Sequence, residues 1–209
     1  MIRLEIMARK TKEDAQKSRD QILDAAEHVL YRKGFTLATM ADIAEAAQLS
    51  RGAVYGHYKG KLEVATAMAE RVIQQASPFQ ADPVLSALAN LKHYCLQEVR
   101  SYIEPSSIQR VLFFLYVGID DSPELLQLRF SWEKKRITQI SQLLSQAIAN
   151  QELPADIDFD LISLYCQSVI EGVFSVVYFG SMSENERWQR AEQLCTYSLQ
   201  RLSLPFSHA

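Results

Sequence analysis

Residues 39–61, TMADIAEAAQLSRGAVYGHYKGK, hold the best candidates in this chain for recognising another molecule. Arg51 carries a guanidinium that can donate two parallel hydrogen bonds, for example to O6 and N7 of guanine. Gly52 has no side chain, so the backbone beside Arg51 can approach a ligand closely. Tyr55, one helical turn further on, offers an aromatic ring and a hydroxyl. The chemistry of this segment is binding through hydrogen bonds and close contact.

Two short helices joined by a tight turn are expected to present these groups. Thr39 and Asp42 have the spacing of a capping box, with Asp in place of the preferred Glu or Gln, so the first helix begins at Met40. Leu49 can fix the turn to the core, and Ser50 offers a hydroxyl that caps the second helix. This arrangement predicts a helix-turn-helix, whose second helix can enter the major groove of DNA. A surface helical corner that binds nothing is the alternative that spacing leaves open.

The segment resembles the recognition unit of the tetracycline-repressor (TetR) family of DNA-binding regulators. In that family a Tyr-x-His-aromatic-x-x-Lys run closes the DNA-binding unit, and the matching residues here are Tyr55, His57, Tyr58 and Lys61. Matches to the family's first helix and its Gly-aromatic exit are Arg19, Ile22, Leu23, Ala25, Ala26, Gly34 and Phe35. The opening MARKTKEDAQKSR, residues 7–19, is similar to the AcrR-like branch of multidrug-efflux repressors, and residues 153–174 give a weaker match.

By position in the matched motif, the resemblance implies two sets of DNA contacts. Groove reading and close backbone approach are assigned to Arg51, Gly52 and Tyr55. Phosphate contacts are assigned to Thr39, Ser50, His57 and Lys61, with help from amides at helix N-termini. Residue chemistry leaves other interpretations open, because Tyr55 or His57 could pack against the core and Lys61 could simply be solvated.

The segment departs from the family pattern at two glycines. Gly56 stands where the efflux branch usually carries Trp or another aromatic residue, so that side chain's contacts are missing. Gly60 replaces the usual Asn or Ser cap of the next helix, at a cost of only a few tenths of a kcal/mol. We therefore expect the fourth helix to form.

Helical periodicity over the rest of the chain predicts an all-α fold of about nine helices. The expected helices are about 12–33, 40–47, 51–57, 61–76, 84–103, 106–118, 123–149, 158–180 and 184–202. Gly34 is expected to end the first helix. The breakers Pro78 and Pro83 mark a linker. We predict a helix-turn-helix DNA-binding domain at 1–65 and a domain for ligand binding and dimerisation at 66–209.

The helix predicted at 158–180 is apolar nearly all round, which indicates burial on two sides. One face is mostly apolar with a few polar groups, as in a ligand pocket, and Glu171 matches an acidic residue that lines the drug site in the efflux branch. The candidate pocket residues are Leu88, Leu91, Cys95, Leu112, Phe113, Tyr116, Trp132, Gln139, Leu143, Gln167, Ile170, Glu171 and Phe174. For each of these the alternative is plain core packing, and for Glu171 it is a salt bridge or exposure.

The other face is expected to meet a second copy of the chain, because the last two helices of TetR-family subunits form a four-helix dimer interface. The candidate interface residues are Ile162, Tyr165, Val169, Val176, Ala191, Leu194, Cys195 and Leu202. A two-fold dimer would present two recognition helices to a palindrome.

Composition and charge are those of an ordinary globular protein. The 209 residues are 48% hydrophobic and 22% charged, and the net charge of −3 argues against a general polyanion binder. Residues 1–66 carry 11 Lys and Arg against 9 Asp and Glu, whereas the remainder carries 11 against 16. This modest asymmetry suits an N-terminal part that faces DNA.

The cysteines and the apolar runs favour a cytoplasmic protein without cofactor or metal. Cys95, Cys166 and Cys195 are widely spaced, which predicts reduced thiols and no zinc site. The N-terminus lacks the continuous apolar stretch of a signal peptide. The longest apolar run, 111–119, is far shorter than the roughly 20 residues that span a bilayer, so no membrane partner is expected.

Together these features predict a homodimeric transcriptional repressor of a double-stranded palindromic operator. A drug-like inducer, apolar or cationic, would release the DNA, and the regulated gene would serve efflux or detoxification. A helical ligand-binding or scaffold protein without DNA binding is one alternative, and an activator of the same fold is another. An enzyme is disfavoured, because the sequence has no catalytic carboxylate pair, Ser/His/Asp arrangement or phosphate loop.

Overall fold

The computed structural model describes residues 2–119, 122–200 and 202, with the side chains of residues 2–11 left out. Over these residues the chain forms nine α-helices and no strand, which confirms the predicted all-α fold. The helices are α1 Ile2–Leu37, α2 Met40–Ala46, α3 Arg51–His57, α4 Lys61–Gln75, α5 Ala87–Ile103, α6 Ser107–Phe113, α7 Pro123–Ala149, α8 Phe159–Tyr178 and α9 Glu184–Gln200. A π-helical segment, Phe114–Gly118, continues α6.

The chain divides into two compact units. The first unit contains Met1–Ala76 and Arg110–Arg129, and the second contains Ser77–Gln109 and Phe130–Ala209. The domain boundary predicted after residue 65 lies within α4, and the whole of that helix belongs to the first unit.

The first unit is built around the inward face of α1. Ile22, Ala26 and Leu30 are fully buried, as their helical spacing predicts. Ile43 of α2 and Val54 of α3 are also fully buried, so each short helix has an apolar anchor in this core.

Helix α1 begins ten residues earlier than predicted, at Ile2, and is interrupted at Gly34. Gly34 has φ of 69° and ψ of 174°, a backbone conformation that residues with a Cβ rarely adopt. A Cβ built at Gly34 would also lie 3.2 Å from the carbonyl oxygen of Gly118. The glycine therefore sets the direction in which the chain leaves α1 for the helix-turn-helix.

Replacing Gly34 with alanine should destabilise the first unit by about 1–3 kcal/mol, because the new side chain meets both backbone strain and the Gly118 carbonyl. Urea unfolding of the full chain measures this loss. Gly56→Ala is the matched control: a Cβ there meets nothing within 4 Å, so alanine should stabilise α3 slightly. Equal stability of the two variants would contradict the role assigned to Gly34.

In the second unit, α8 packs against α5 and α9. The free thiols of Cys95, Cys166 and Cys195 are buried where these helices meet. By length and composition α8 could cross a bilayer, with a mean hydropathy of 1.5, but 44% of that stretch is buried in the fold, as in the core helix of a globular protein.

The start of α5 is fixed by a carboxylate from the loop after α7. Glu152 Oε1 accepts from the Ala87 N–H at 2.9 Å, and Oε2 accepts from the Leu88 N–H at 2.8 Å. Burial tends to raise the pKa of Glu152, but these amide hydrogen bonds outweigh it and the pKa is lowered. The carboxylate satisfies two N–H groups that a helix start leaves without internal partners.

Candidate functional site

The helix α2 is held at its start by the predicted capping box. Thr39 Oγ1 accepts from the Asp42 N–H at 3.1 Å, and Asp42 Oδ2 accepts from the Thr39 N–H at 2.9 Å. Lys33 donates to Asp42 Oδ1 at 2.8 Å. The hydrogen bond from Lys33, followed by those from Thr39, lowers the pKa of Asp42 to about 2. An ionised Asp42 therefore secures the entry to the helix-turn-helix.

The turn between α2 and α3 closes with two backbone hydrogen bonds. The Gln48 N–H donates to Glu45 O at 3.0 Å, and the Leu49 N–H donates to Ala44 O at 2.9 Å. Gln48 has a φ of 55°, so the left-handed residue of this Schellman-type cap is not a glycine. Leu49 is half-buried at the turn, as expected for a residue that fixes the corner.

The helix α3 presents an open polar row. Ser50 caps it by accepting from the Ala53 N–H at 3.1 Å, as predicted. Val54 is the one residue of α3 that is buried, while Arg51 and Gly52 are exposed and Tyr55 is 54% exposed. The three residues assigned to groove reading therefore share the outward part of one short, well-anchored helix.

Lys61 and His57, which the family motif assigns to phosphate contacts, lie at the ends of the segment between α3 and α4. The Lys61 ammonium donates to the carbonyls of Phe35, Thr36 and Ala38, and it lies 4.4 Å from the centre of the Phe35 ring. The ammonium has three N–H donors, and these carbonyls accept from them. Lys61 therefore links the start of α4 to the end of α1. His57 is half-buried, which suits both packing against the core and contact with a phosphate.

Helix α4 forms despite the missing cap at Gly60, as predicted. Glu63 Oε2 accepts from the N–H of Lys59, the residue before Gly60, at 2.6 Å and so fixes the chain where it enters α4.

In the second unit, a buried arginine joins α5, α7 and α8. Arg136 has only 1% of its side chain exposed, and it donates to the Tyr102 hydroxyl at 3.0 Å and to Glu171 Oε1 at 2.5 Å. The side chain of Glu171 is 53% exposed. Glu171 is therefore a half-exposed salt-bridge partner of Arg136, as in the alternative that the sequence left open beside a ligand contact.

A second carboxyl, Glu98 on α5, lies deeper, with 6% of its surface exposed. Burial raises the pKa of Glu98 to about 7, against the lowering effects of Arg136 and of a hydrogen bond from the Tyr94 hydroxyl. Within the described part of the chain, Glu98 Oε2 has no hydrogen-bond partner. An unsatisfied carboxyl oxygen in a core is costly, and it marks a place where another donor would bind.

Ten of the candidate pocket residues lie in the second unit. Those that are buried there are Leu88, Leu91, Cys95, Trp132, Leu143, Ile170 and Phe174, and those that are half-buried are Gln139 and Gln167. Leu112, Phe113 and Tyr116 belong to the first unit, where the Phe113 ring meets Tyr31 edge-on at 5.1 Å. Among residues 12–119 and 122–200, no cluster of three or more His, Cys, Asp or Glu side chains could hold a metal ion.

Most candidate interface residues are packed inside their own chain. The residues that are at least nine-tenths buried are Ile162, Val169, Ala191, Cys195 and Leu202. Tyr165 is half-buried and donates from its hydroxyl to Ser198 O at 2.6 Å. Val176 and Leu194 are exposed, by 60% and 41%. Val176 and Leu194 are therefore the two of the eight that lie in the exposed class.

The exposed face of α8 is rotated from the one expected. Leu161, Leu164 and Val176 are 58%, 59% and 60% exposed, and Phe179, just beyond the helix, is 59% exposed. At 100° per residue these four side chains fall within one 120° arc. Together with Leu194 and Tyr197 of α9, they form an apolar surface that we call the α8–α9 stripe.

Sequence analysis missed Arg136 and Glu98, although both continue helix faces that it had identified. Arg136 lies one turn after Trp132 on the face that also contains Gln139. Glu98 follows Cys95 by three residues on the inward face of α5. A charged residue on a helix face that otherwise points inward indicates a buried polar group, and this pattern could have identified both residues.

Comparison with known proteins agrees with this architecture. Residues 22–68, which include α2 and α3, match the family model of bacterial regulatory proteins, tetR family. The chain is 32% identical over 186 residues to the HTH-type transcriptional regulator SrpR of Pseudomonas putida, an alignment that covers 88% of this chain and 84% of SrpR. It is 25% identical over 185 residues to AcrR of Shigella flexneri, covering 85% and 86% of the two chains.

A solved structure is similar over nearly the whole chain. The repressor MexZ of Pseudomonas aeruginosa superposes with a TM-score of 0.80 at 38% identity, over 91% of this chain and 97% of MexZ. These relatives are transcriptional regulators, not enzymes. The helix-turn-helix of α2 and α3, the all-α fold and the extent of these alignments agree, and the chain belongs to the tetR family of bacterial regulatory proteins.

Proposed function

We propose that the protein is a homodimeric transcriptional repressor that places α3 in the major groove of a palindromic operator. The observation that carries this proposal is the exposed row of Arg51, Gly52 and Tyr55 on a capped helix anchored by Val54. Arg51 reads a guanine through two hydrogen bonds, Gly52 lets the backbone approach, and Tyr55 contacts a thymine methyl or a phosphate. Thr39 and Ser50, both exposed, contribute phosphate contacts from the starts of α2 and α3.

Dimerisation uses the α8–α9 stripe. Exposed leucine, valine and aromatic side chains on two helices that pack together are unfavourable in water and typical of an interface. A two-fold axis through this surface buries the same stripe from both copies and supplies two recognition helices. The operator half-sites would then lie about one helical turn of DNA apart, roughly 34–36 Å, or a multiple of it.

The second unit holds the inducer, a drug-like apolar or cationic molecule. The inducer shifts the protein towards a conformer that fits the operator poorly, in proportion to its differential affinity for the two conformers. The repressor acts in the cytoplasm of a bacterium. The gene that it regulates encodes an efflux or detoxification protein. The similarity to MexZ, described as a key repressor responsible for antibiotic resistance, supports this assignment.

The proposal is tested by binding to double-stranded DNA from upstream of the protein's own gene. The logarithm of the association constant should fall linearly with the logarithm of the salt concentration, by about 0.9 per phosphate contact. Gel shifts over a series of salt concentrations measure that slope. Failure to bind any upstream duplex in dilute buffer would contradict the proposal.

Arg51→Ala should weaken operator binding by about 1–3 kcal/mol and relax the preference at one base pair in each half-site. Lys135→Ala is the control, since it removes one exposed positive charge from α7 in the second unit. Competition gel shifts with single-base operator variants measure both effects. If Arg51→Ala bound the operator as the control does, the assigned register of α3 would be wrong.

A further inference from the structure

The second unit contains two carboxyl groups near Arg136, and they differ in what they can offer a ligand. Glu171 is paired with Arg136 at 2.5 Å and is half-exposed, so a ligand there would compete with both a guanidinium and water. Glu98 is nine-tenths buried, and its Oε2 has no partner among the described residues. A new donor therefore gains more at Glu98 than at Glu171, because it satisfies an oxygen that is already removed from water.

A second unsatisfied polar group lies near the same arginine. Trp132 is 9% exposed, and its Nε1–H finds no acceptor within the part of the chain that the structure describes. Trp132 and Arg136 are four residues apart on α7, so their side chains share a helix face. The charge of Arg136 in turn acts on Glu98 across from α5. The second unit thus holds one unsatisfied acceptor on α5 and one unsatisfied donor on α7, on the helix that carries Arg136.

The lining around these groups is apolar and aromatic. Leu91 and Cys95 precede Glu98 on the inward face of α5 and are fully buried. The Tyr102 ring, one turn beyond Glu98, lies 5.1 Å from the ring of Phe174. An apolar wall with a few unsatisfied polar atoms is the usual composition of a small-molecule site.

We propose that Glu98, rather than Glu171, is the carboxyl that receives the inducer, and that the inducer is a compact aromatic molecule bearing an N–H or O–H donor. The donor satisfies Glu98 Oε2, and an acceptor on the same ligand is oriented by Trp132 Nε1. This inference rests on the proposed induction of a repressor by a small molecule and names the ligand class and its anchor.

The electrostatic balance agrees with this assignment. Arg136 donates to Tyr102 and to Glu171, and no donor among the described residues reaches Glu98 Oε2. The raised pKa of Glu98 reflects burial that Arg136 and Tyr94 offset only in part. A ligand donor at Oε2 would supply the missing stabilisation.

Three naphthalene probes test the proposal on the full-length protein: 2-naphthylmethylamine, 2-naphthol and 2-methoxynaphthalene, which has no donor. Fluorescence titration of the wild type at pH 8, above the pKa of about 7 of Glu98, should show the amine or the naphthol binding at least about tenfold more tightly than the ether, since a hydrogen bond to a charged group is worth roughly 1.5–3 kcal/mol. Tighter binding of the amine than of the naphthol would indicate a ligand with an ammonium group, and the reverse would indicate a ligand with a hydroxyl group.

The variants separate the two carboxyls. Glu98→Leu keeps a similar volume without polar atoms and should abolish the preference, whereas Glu98→Gln keeps an acceptor and should retain part of the preference for naphthol. Glu171→Gln is the matched control and should leave the preference unchanged. A preference that survives in Glu98→Leu, one that disappears in Glu171→Gln, or none in the wild type would overturn the inference.

Operator binding without any probe keeps this inference distinct from the proposed function. All three variants should bind upstream DNA as the wild type does, because none alters α2 or α3. Intact DNA binding with no donor preference refutes the role of Glu98 alone. Loss of DNA binding by the wild type would refute the repressor itself.

Discussion

Replacing Leu164 and Val176 together with aspartate should give a folded monomer whose operator affinity is about 10²–10⁴-fold lower than that of the wild type. Both side chains lie on the α8–α9 stripe and are 59% and 60% exposed, so charges there are tolerated by the isolated chain. In a dimer the same charges would be buried face to face without partners, which is strongly unfavourable. Two linked heads bind a palindrome far more tightly than one, because the second contact is intramolecular.

Sedimentation velocity gives the oligomeric state, and gel shifts give the operator affinity. Val84→Asp is the control, because Val84 is 89% exposed, belongs to the second unit and lies outside the stripe. The control should stay dimeric and bind DNA. A double aspartate variant that remained dimeric would show that another surface forms the interface.

Arg136→Met should lower the free energy of unfolding by about 2–4 kcal/mol, somewhat below the 3–5 kcal/mol expected when a fully buried pair loses one partner. Methionine preserves much of the volume but removes the donors to Tyr102 and Glu171. Glu171 can recover hydration because it is half-exposed, which reduces the loss. Glu98 loses a favourable charge and keeps its burial.

Urea unfolding at a fixed protein concentration measures this effect. Arg100→Met is the matched control: Arg100 is 53% exposed, pairs with Glu104 and lies 4.4 Å from the centre of the Trp188 ring, so its loss should cost about 1 kcal/mol. If both arginine variants lost the same stability, Arg136 would not be the internal tie described here.

The helix-turn-helix could be predicted from sequence because its determinants are local. Thr39 with Asp42 and Ser50 with the amide of Ala53 fix where α2 and α3 begin, and each cap depends on residues three positions apart. The α3 boundaries, Arg51–His57, match the predicted ones. The family resemblance covered the same segment, and the family match over residues 22–68 confirms it.

The faces of α8 could not be assigned in the same way. The helix is apolar nearly all round, so periodicity does not say which apolar side chains meet α5 and α9 and which meet water. Val169 and Val176 were placed on one face, yet Val169 is 8% exposed and Val176 is 60% exposed. That distinction depends on tertiary packing between helices distant in sequence.

The polar interior of the second unit was also outside the reach of pattern analysis. Arg136 is a charged residue in a helix with many exposed charges, and only its neighbours show that it is buried. Its pairing with Glu171 joins residues 35 positions apart. Lys61 is a similar case, since its contact with Ala38 O spans 23 positions. The sequence lists these charged residues, but it does not indicate which distant residues they pair with.

In the proposed complex, two copies of α3 enter the major groove of one duplex. Methylation interference on the upstream DNA tests it most directly, because methyl groups on guanine N7 block the major groove. Two clusters of interfering guanines are expected, related by a two-fold axis and about one helical turn, or a multiple of it, apart. A single cluster, or binding that is indifferent to N7 methylation, would contradict it.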